Sequence, residues 1–432
     1  MQWTTAWQRW RDLFRWLAQT SRWHVPGRRS GVFAVVTEAL ELGSATMALR
    51  PDTPAGQLHM WGANHLGQAG NGPGPDVLQP RPVPGLPAVS AACCNANAAL
   101  ALDQAGRVWS WGWDVGGMLG RATPNGRRVS LLDGSEESSA ARPKTSLPPF
   151  ASPGQVRYLP PIVQLVIGAE NGLALDGRGR VWAWGGPACL GRPDVGPSQP
   201  VNAEPAWIES LPPIRSLACD PSGMAAYAVD LEGGLWSWGV GLEGELGRGK
   251  PRFDPQPGRV EGLGAVRSVH PGVSFCLALL DDGSVWGWGL DCGLGFASSE
   301  EDTPAVSSPT RVSVVADVQQ LWVGGDMAIL RTRSGETFSI GRSSPMLSPR
   351  EPAPLTAALQ RQSVLDPYRR FTLGRHHGFG VDAWGNVIGF GHAVSGALGN
   401  GLNRAELKLG PTRLSLRSLP LAAAGHHSLG LQ

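Results

Sequence analysis

One short phrase recurs along the chain and limits its fold more than any other feature. It reads Gly106-Arg107-Val108-Trp109-Ser110-Trp111-Gly112 and returns as Gly179-Arg180-Val181-Trp182-Ala183-Trp184-Gly185. It returns again as Gly234-Leu235-Trp236-Ser237-Trp238-Gly239 and as Gly283-Ser284-Val285-Trp286-Gly287-Trp288-Gly289. Weaker copies end at Gly62, Gly341 and Gly391, so the closing glycines are spaced 50, 73, 54, 50, 52 and 50 residues apart. A near-constant period of this length marks a repeat architecture, in which each unit must bury its faces against its neighbours.

Each copy carries further signals. Upstream runs such as Leu100-Ala101-Leu102-Asp103, Leu173-Ala174-Leu175-Asp176 and Leu277-Ala278-Leu279-Leu280-Asp281 read as strands entering a hairpin turn. Downstream, glycine-rich turns such as Leu66-Gly67-Gln68-Ala69-Gly70 and Glu245-Leu246-Gly247 precede a proline-rich loop and another apolar strand. Each unit therefore reads as about four short strands. Closing the units into a ring leaves few exposed edges. The expectation is an all-β fold, a seven-bladed β-propeller of four-stranded blades over residues 36–432.

Composition agrees. The 432 residues include 59 glycines and 37 prolines, nearly twice their usual combined share. Glycine has no three-residue period, which excludes collagen, and this many helix breakers disfavours a helical bundle. With 42% hydrophobic and only 17% charged residues, the chain is not of the disordered class.

These motifs resemble the regulator of chromosome condensation repeat family. That family combines a Gly-x-x-His strand, an Asp-Gly turn, an aromatic-x-Trp-Gly strand and a Gly-Gln-Leu-Gly turn over about fifty residues. The sixth repeat departs most, with Ile340 in place of the second tryptophan and Arg342-Ser343-Ser344-Pro345 in place of the glycine turn. Seven Trp-Gly halves lie between eight upstream halves. The C-terminal half, Ala424 to Leu431, is expected to complete the ring beside residues 57–62, leaving the N-terminal one, Leu42 to Leu49, as an added outer or capping piece; the reverse assignment is the alternative. The resemblance implies a protein-binding propeller. It also implies a second reading, guanine nucleotide exchange on a small GTPase, which would need a projecting wedge and an acidic or apolar contact ring.

Two segments stand outside the repeat. In residues 1–25, Trp3, Ala6, Trp7, Trp10, Leu13, Phe14 and Leu17 recur at helical spacing, with Arg9, Arg11 and Arg15 opposite. This predicts an N-terminal amphipathic helix, within an extension of residues 1–35. It could dock on the propeller or on a second copy, lie on a membrane surface, or act as a targeting or partner-binding segment. The long 73-residue interval places an insertion near residues 121–156, with mixed charge and no periodicity. It reads as a surface insertion or as a protruding contact loop.

No catalytic or metal-binding constellation is expected, and no cofactor. The cysteines Cys93, Cys94, Cys189, Cys219, Cys276 and Cys292 lack metal-type spacing and read as small buried hydrophobes. His376-His377 and His426-His427 look like site material. Yet the slot of the second histidine holds Ala98, Asn171, Ala225, Phe275 and Met327 in sister repeats, which makes it structural. Asp103, Asp176, Asp230 and Asp281 read as turn residues. A net charge of +2 gives no reason to expect nucleic acid as partner. The resulting expectation is a non-enzymatic protein-interaction scaffold, cytoplasmic because the N-terminus lacks an apolar core of the secretory kind, with residues 1–25 as a candidate membrane contact. Its candidate partner-binding residues follow the Trp-Gly strands: Asn64, His65, Trp113, Asp114, Leu242, Glu243 and Asp291.

Overall fold

Asp103 shows how the recurrent phrase becomes structure. Its carboxylate accepts the backbone N–H groups of Ala105 and Arg107, both at 2.9 Å, the Arg107 guanidinium at 2.7 Å and the Trp109 indole at 3.1 Å. One acid thereby closes the hairpin between two strands and fixes the first tryptophan of the phrase. Asp176 repeats the arrangement with Arg178, Arg180 and Trp182, and Asp230 takes the Trp236 indole at 2.9 Å. Asp281 departs from this pattern and pairs with Arg267 at 3.2 Å. In its repeat Asp282 holds Ser284, whose hydroxyl receives the Trp286 indole.

The computed structural model describes residues 55–114, 116–121, 152–192, 202–249, 253–291, 294–296, 305–312, 316–341, 359–375, 377–391, 394–401, 410–411, 421–423 and 427–431. The N-terminal helix expected in residues 1–25, the half-repeat at 42–49, most of the 121–156 insertion, Arg342 to Pro345, Cys292, His376 and His426 lie outside the described residues.

The strands form seven antiparallel four-stranded sheets. The second sheet shows the order: Val89–Cys94, Ala98–Asp103, Val108–Gly112 and Gly154–Gln155, from the first strand to the outer one. The first strands of successive sheets pack on one another, Val89–Cys94 on Ile162–Ile167, that on Ile214–Cys219, and so on through Tyr368–Leu373 to Leu421–Ala423 and back to Val89–Cys94. This is an all-β propeller with four-stranded blades. One sheet joins the two ends of the described chain: Leu58–Gly62 pairs with His427–Leu431 over five residues. Of the two assignments open to sequence, the C-terminal half is therefore the one beside residues 57–62.

The core lies between sheets. The second strands Ala98–Asp103, Asn171–Asp176, Ala225–Asp230 and Phe275–Leu280 are buried along their whole length, on both faces. Alternation is thus not what distinguishes them; neighbours cover each side, so both faces take small or apolar residues. The histidine-type slot opens the second strand of each sheet, at Ala98, Asn171, Ala225, Phe275, Met327, His377 and His427. His377 Nε2 shares a 2.8 Å hydrogen bond with the Ser428 hydroxyl of the neighbouring sheet.

The second tryptophan of each phrase stitches one sheet to the preceding one. The indole N–H of Trp61 donates to the Ala397 carbonyl at 2.8 Å, that of Trp111 to Gln68 at 2.9 Å and that of Trp184 to Met118 at 2.8 Å. Trp238 donates to Cys189 at 3.0 Å and Trp288 to Glu245 at 2.6 Å. All five rings are buried. Ile340 and Phe390 occupy this place in the sixth and seventh sheets, and neither has an N–H to donate. The sixth sheet has Arg331 instead, whose guanidinium donates at 3.0 Å to the carbonyls of Asp366 and Tyr368 in the approach to the next sheet.

Candidate partner-binding face

The ring has two ends. At one, here the hairpin end, lie the turns between second and third strands and the crossings to the next sheet. At the other, the loop end, lie the turns between first and second strands and the loops after each Trp-Gly. Every sequence-nominated contact residue is at the loop end, on loops of the first, second, fourth and fifth sheets.

The glycine that closes each phrase makes these loops. Gly112 has φ +109° and Gly239 φ +109°, a region that favours glycine. A Cβ at Gly112, Gly185 or Gly239 would also collide with the carbonyl oxygen of Asn97, Glu170 or Met224 in the adjacent turn. The chain is thereby turned across the end of the sheet.

Side chains then lock the loop from within. Asn64 Oδ1 accepts the Ala69 N–H at 3.0 Å, and its amide donates to the Gly72 carbonyl at 3.1 Å. Asp114 accepts the Leu119 N–H at 3.0 Å. Asp291 accepts those of Gly295 at 3.2 Å and Phe296 at 3.0 Å. A second anchor sits four residues on. Gln68 Oε1 accepts the Leu66 N–H at 2.8 Å while its amide donates to the Ala96 carbonyl of the next sheet at 2.9 Å. Glu245 holds the same place, accepting the Glu243 N–H at 2.8 Å. The serine between the tryptophans adds a third tie, Ser110 to the Leu119 carbonyl at 2.7 Å and Ser237 to that of Leu246 at 2.6 Å.

The seven nominated residues accordingly divide. Asn64 and Asp291 are buried and spend their polar atoms within their own loops. His65 is exposed, while Trp113, Asp114, Leu242 and Glu243 are half-buried, at the surface of loops whose backbones are pinned. Sequence reasoning missed Glu170 and Asp220, which join this end from the turns between first and second strands. Asp220 accepts the N–H groups of Met224 at 2.7 Å and Ala225 at 2.9 Å. The missed signal was a polar residue within three positions of the end of four first strands: Asn95, Glu170, Asp220 and, in the sixth sheet, Asp326.

Burial sets the electrostatics. It raises the Asp220 carboxyl to about 6, against the lowering by its Ser222, Ala225 and Met224 hydrogen bonds. It raises Glu245 to about 8, so that this side chain is largely protonated at neutral pH. Burial also lowers Arg121 to about 10, although the nearby Asp114 favours its charged form. At the loop end Asp114, Glu243 and Asp326 are half-buried, as are Trp113 and Leu242, while Glu170 and Asp220 are buried; half-buried Arg121, Arg192, Arg248 and Arg375 stand on loops of the same end, so the charge there is mixed. A shallow pocket of about 250 Å³ lies among Asn64, Asn71, Asp76 and Arg81. Among the described residues no group of three or more His, Cys, Asp or Glu side chains could hold a metal ion. No helix among them is long and apolar enough to cross a membrane.

A propeller of four-stranded blades, stitched by tryptophans and ending in glycine-turned loops, defines the class. The chain is an RCC1-like propeller: residues 232–279 match the regulator of chromosome condensation (RCC1) repeat. Guanine nucleotide exchange factor SRM1 of Saccharomyces cerevisiae is 28% identical over 321 residues, which cover 66% of this chain and 64% of the yeast protein. Human E3 ubiquitin-protein ligase HERC2 is 26% identical over 298 residues, 67% of this chain but 6% of that one. The fold is similar to that of yeast RCC1 (Prp20) in its complex with Kap60, with a TM-score of 0.72, 20% identity and 95% of each chain covered.

Proposed function

We propose that this chain is a non-enzymatic protein-binding scaffold, its seven sheets forming one seven-bladed ring that takes a protein partner on the loop end. The observation that carries this reading is the pinning of the loops. Trp113, Leu242 and Glu243 stand on backbones fixed by Asp114, Glu245, Ser110 and Ser237. A surface ordered before binding loses less entropy on association. The buried thiols Cys93, Cys94, Cys189, Cys219 and Cys276 fit a reducing, cytoplasmic setting.

The test is affinity capture with the full chain and with a Trp113→Ala, Glu243→Lys variant. Capture of the same partner by both, with both folded by circular dichroism, would reject the loop end. Capture by the parent alone supports it.

A second reading, guanine nucleotide exchange on a small GTPase, is favoured by the yeast exchange factor among the relatives. Such activity needs no covalent chemistry, only contacts that favour the nucleotide-free GTPase. Release of a labelled guanine nucleotide from a panel of small GTPases measures it. The reading expects acceleration by the full chain that is lost with Glu243→Lys.

A further inference from the structure

Single exposed apolar side chains are ordinary; a set gathered on one side of a molecule is not. Among the described residues the exposed large hydrophobics are Tyr158, Val163, Trp207, Leu231, Val364 and Trp384. All six lie at the hairpin end, opposite the loops discussed above. Leu231 is 61% exposed and Tyr158 75% exposed. Tyr158 also holds φ +64°, a strained conformation for a bulky residue.

Four of the six form one neighbourhood around the third sheet. The turn that follows Asp176 connects them. Val163 borders that turn at Gly177, and the Arg180 guanidinium lies 5.7 Å from the Trp207 ring. The Gly179 carbonyl accepts the Ile214 N–H at 2.9 Å, and the adjoining Pro213 carbonyl accepts that of Leu231 at 3.2 Å. Tyr158 stands on the crossing that leads into Val163.

The chain enters the ring at this same end. Gly56 pairs with Val89, the first residue of its strand, through two 3.0 Å backbone hydrogen bonds. The first described residues therefore lie at the hairpin end, and 54 residues of sequence precede them. Those 54 contain the Trp3, Trp7, Trp10, Leu13, Phe14 and Leu17 pattern, an apolar stripe that needs a surface to cover.

We infer that residues 3–17 of this chain dock as an amphipathic helix on the hairpin end, over Tyr158, Val163, Trp207 and Leu231. Reach does not limit this. The 38 residues from Leu17 to residue 55 can extend to more than ~100 Å. A tethered segment meets its site at an effective concentration in the millimolar range. Exposed Glu209 and Glu232 flank the patch and suit Arg9, Arg11 and Arg15, but exposed Arg157 and Arg178 flank it too. Aromatic burial, not charge, is thus the driving term.

The experiment uses the full chain with a benzoyl-phenylalanine photo-crosslinker at position 231, and hydrogen exchange on the unmodified chain. The expected result is a crosslink to residues 1–25 at monomer mass, with amides 3–17 protected. Protection should fall at least tenfold in a Trp207→Ser, Leu231→Ser variant and equally in a Trp7→Gln, Trp10→Gln variant, with the thermal midpoint of the propeller unchanged. Crosslinks between two chains would overturn the inference in favour of a dimer. Protection that arises only with phosphatidylglycerol vesicles, whatever stands at 207 and 231, would overturn it in favour of a membrane contact. Unprotected amides 3–17 in the parent chain would overturn it outright.

Discussion

At the residue scale, the two tryptophans of the phrase have different tasks. The first is half-buried and closes a hairpin within its own sheet; the second is buried and joins two sheets. Trp238→Phe keeps most of the apolar volume and removes the N–H that serves the Cys189 carbonyl. It should lower unfolding stability by about 1–3 kcal/mol, measured by denaturant titration. Glu245 offers a pH test. Its folded pKa, raised by burial, lies above the ordinary glutamate value. The stability tied to its neutral form is therefore fully present below about pH 4.3 and lost as pH rises through about 8. Glu245→Gln should flatten that loss, by roughly 3 kcal/mol or less between pH 5 and 9. Gln68 shows that an amide fits the same place in another sheet and gains a donor toward its neighbour. The glycine-rich turn was legible in the motif; the anchoring role and the raised pKa of Glu245 were not, because both depend on burial in the folded ring.

At the element scale, the hairpin is the repeating unit of stability. Asp103→Ala would leave the N–H groups of Ala105 and Arg107 and the Trp109 indole without their acceptor. A loss of about 1–3 kcal/mol follows. Burial pushes the Asp103 carboxyl up, but the hydrogen bonds from Arg107, Trp109 and Ala105 outweigh it and hold its pKa below the usual value. Its contribution is present above about pH 3.9 and fades as pH falls through the lowered pKa. Acid titration of the variant against the parent should show this difference vanishing at low pH. Third strands were readable because Trp-x-Trp-Gly marks both their course and their end. Outer strands such as Gly154–Gln155 and Gln360–Arg361 were not, since two exposed or half-buried residues carry no pattern. Asp281 misled for a local reason: Asp282 and Ser284 do the work one residue later.

At the scale of the whole molecule, the repeat gives the two ends of the ring different chemistry. Loops turned by the closing glycines set the half-buried Trp113, Asp114, Leu242 and Glu243 at one end, whereas the exposed large hydrophobics among the described residues gather at the hairpin end. Sequence pointed to the loop end through the residues after Trp-Gly. The hairpin patch was hidden, because Tyr158, Trp207 and Leu231 belong to no repeated motif and meet only in the folded ring. Which half-repeat pairs with Leu58–Gly62 was only partly legible, since both candidates carry the same pattern. The central claim is that a foreign protein binds the loop end. Leu242 and Leu231 belong to one sheet and lie at its opposite ends, so a photo-crosslinker placed at each in the full chain compares the two ends directly. Binding at the loop end requires that position 242 captures a foreign protein and position 231 does not. Capture at 231 with none at 242 would contradict it.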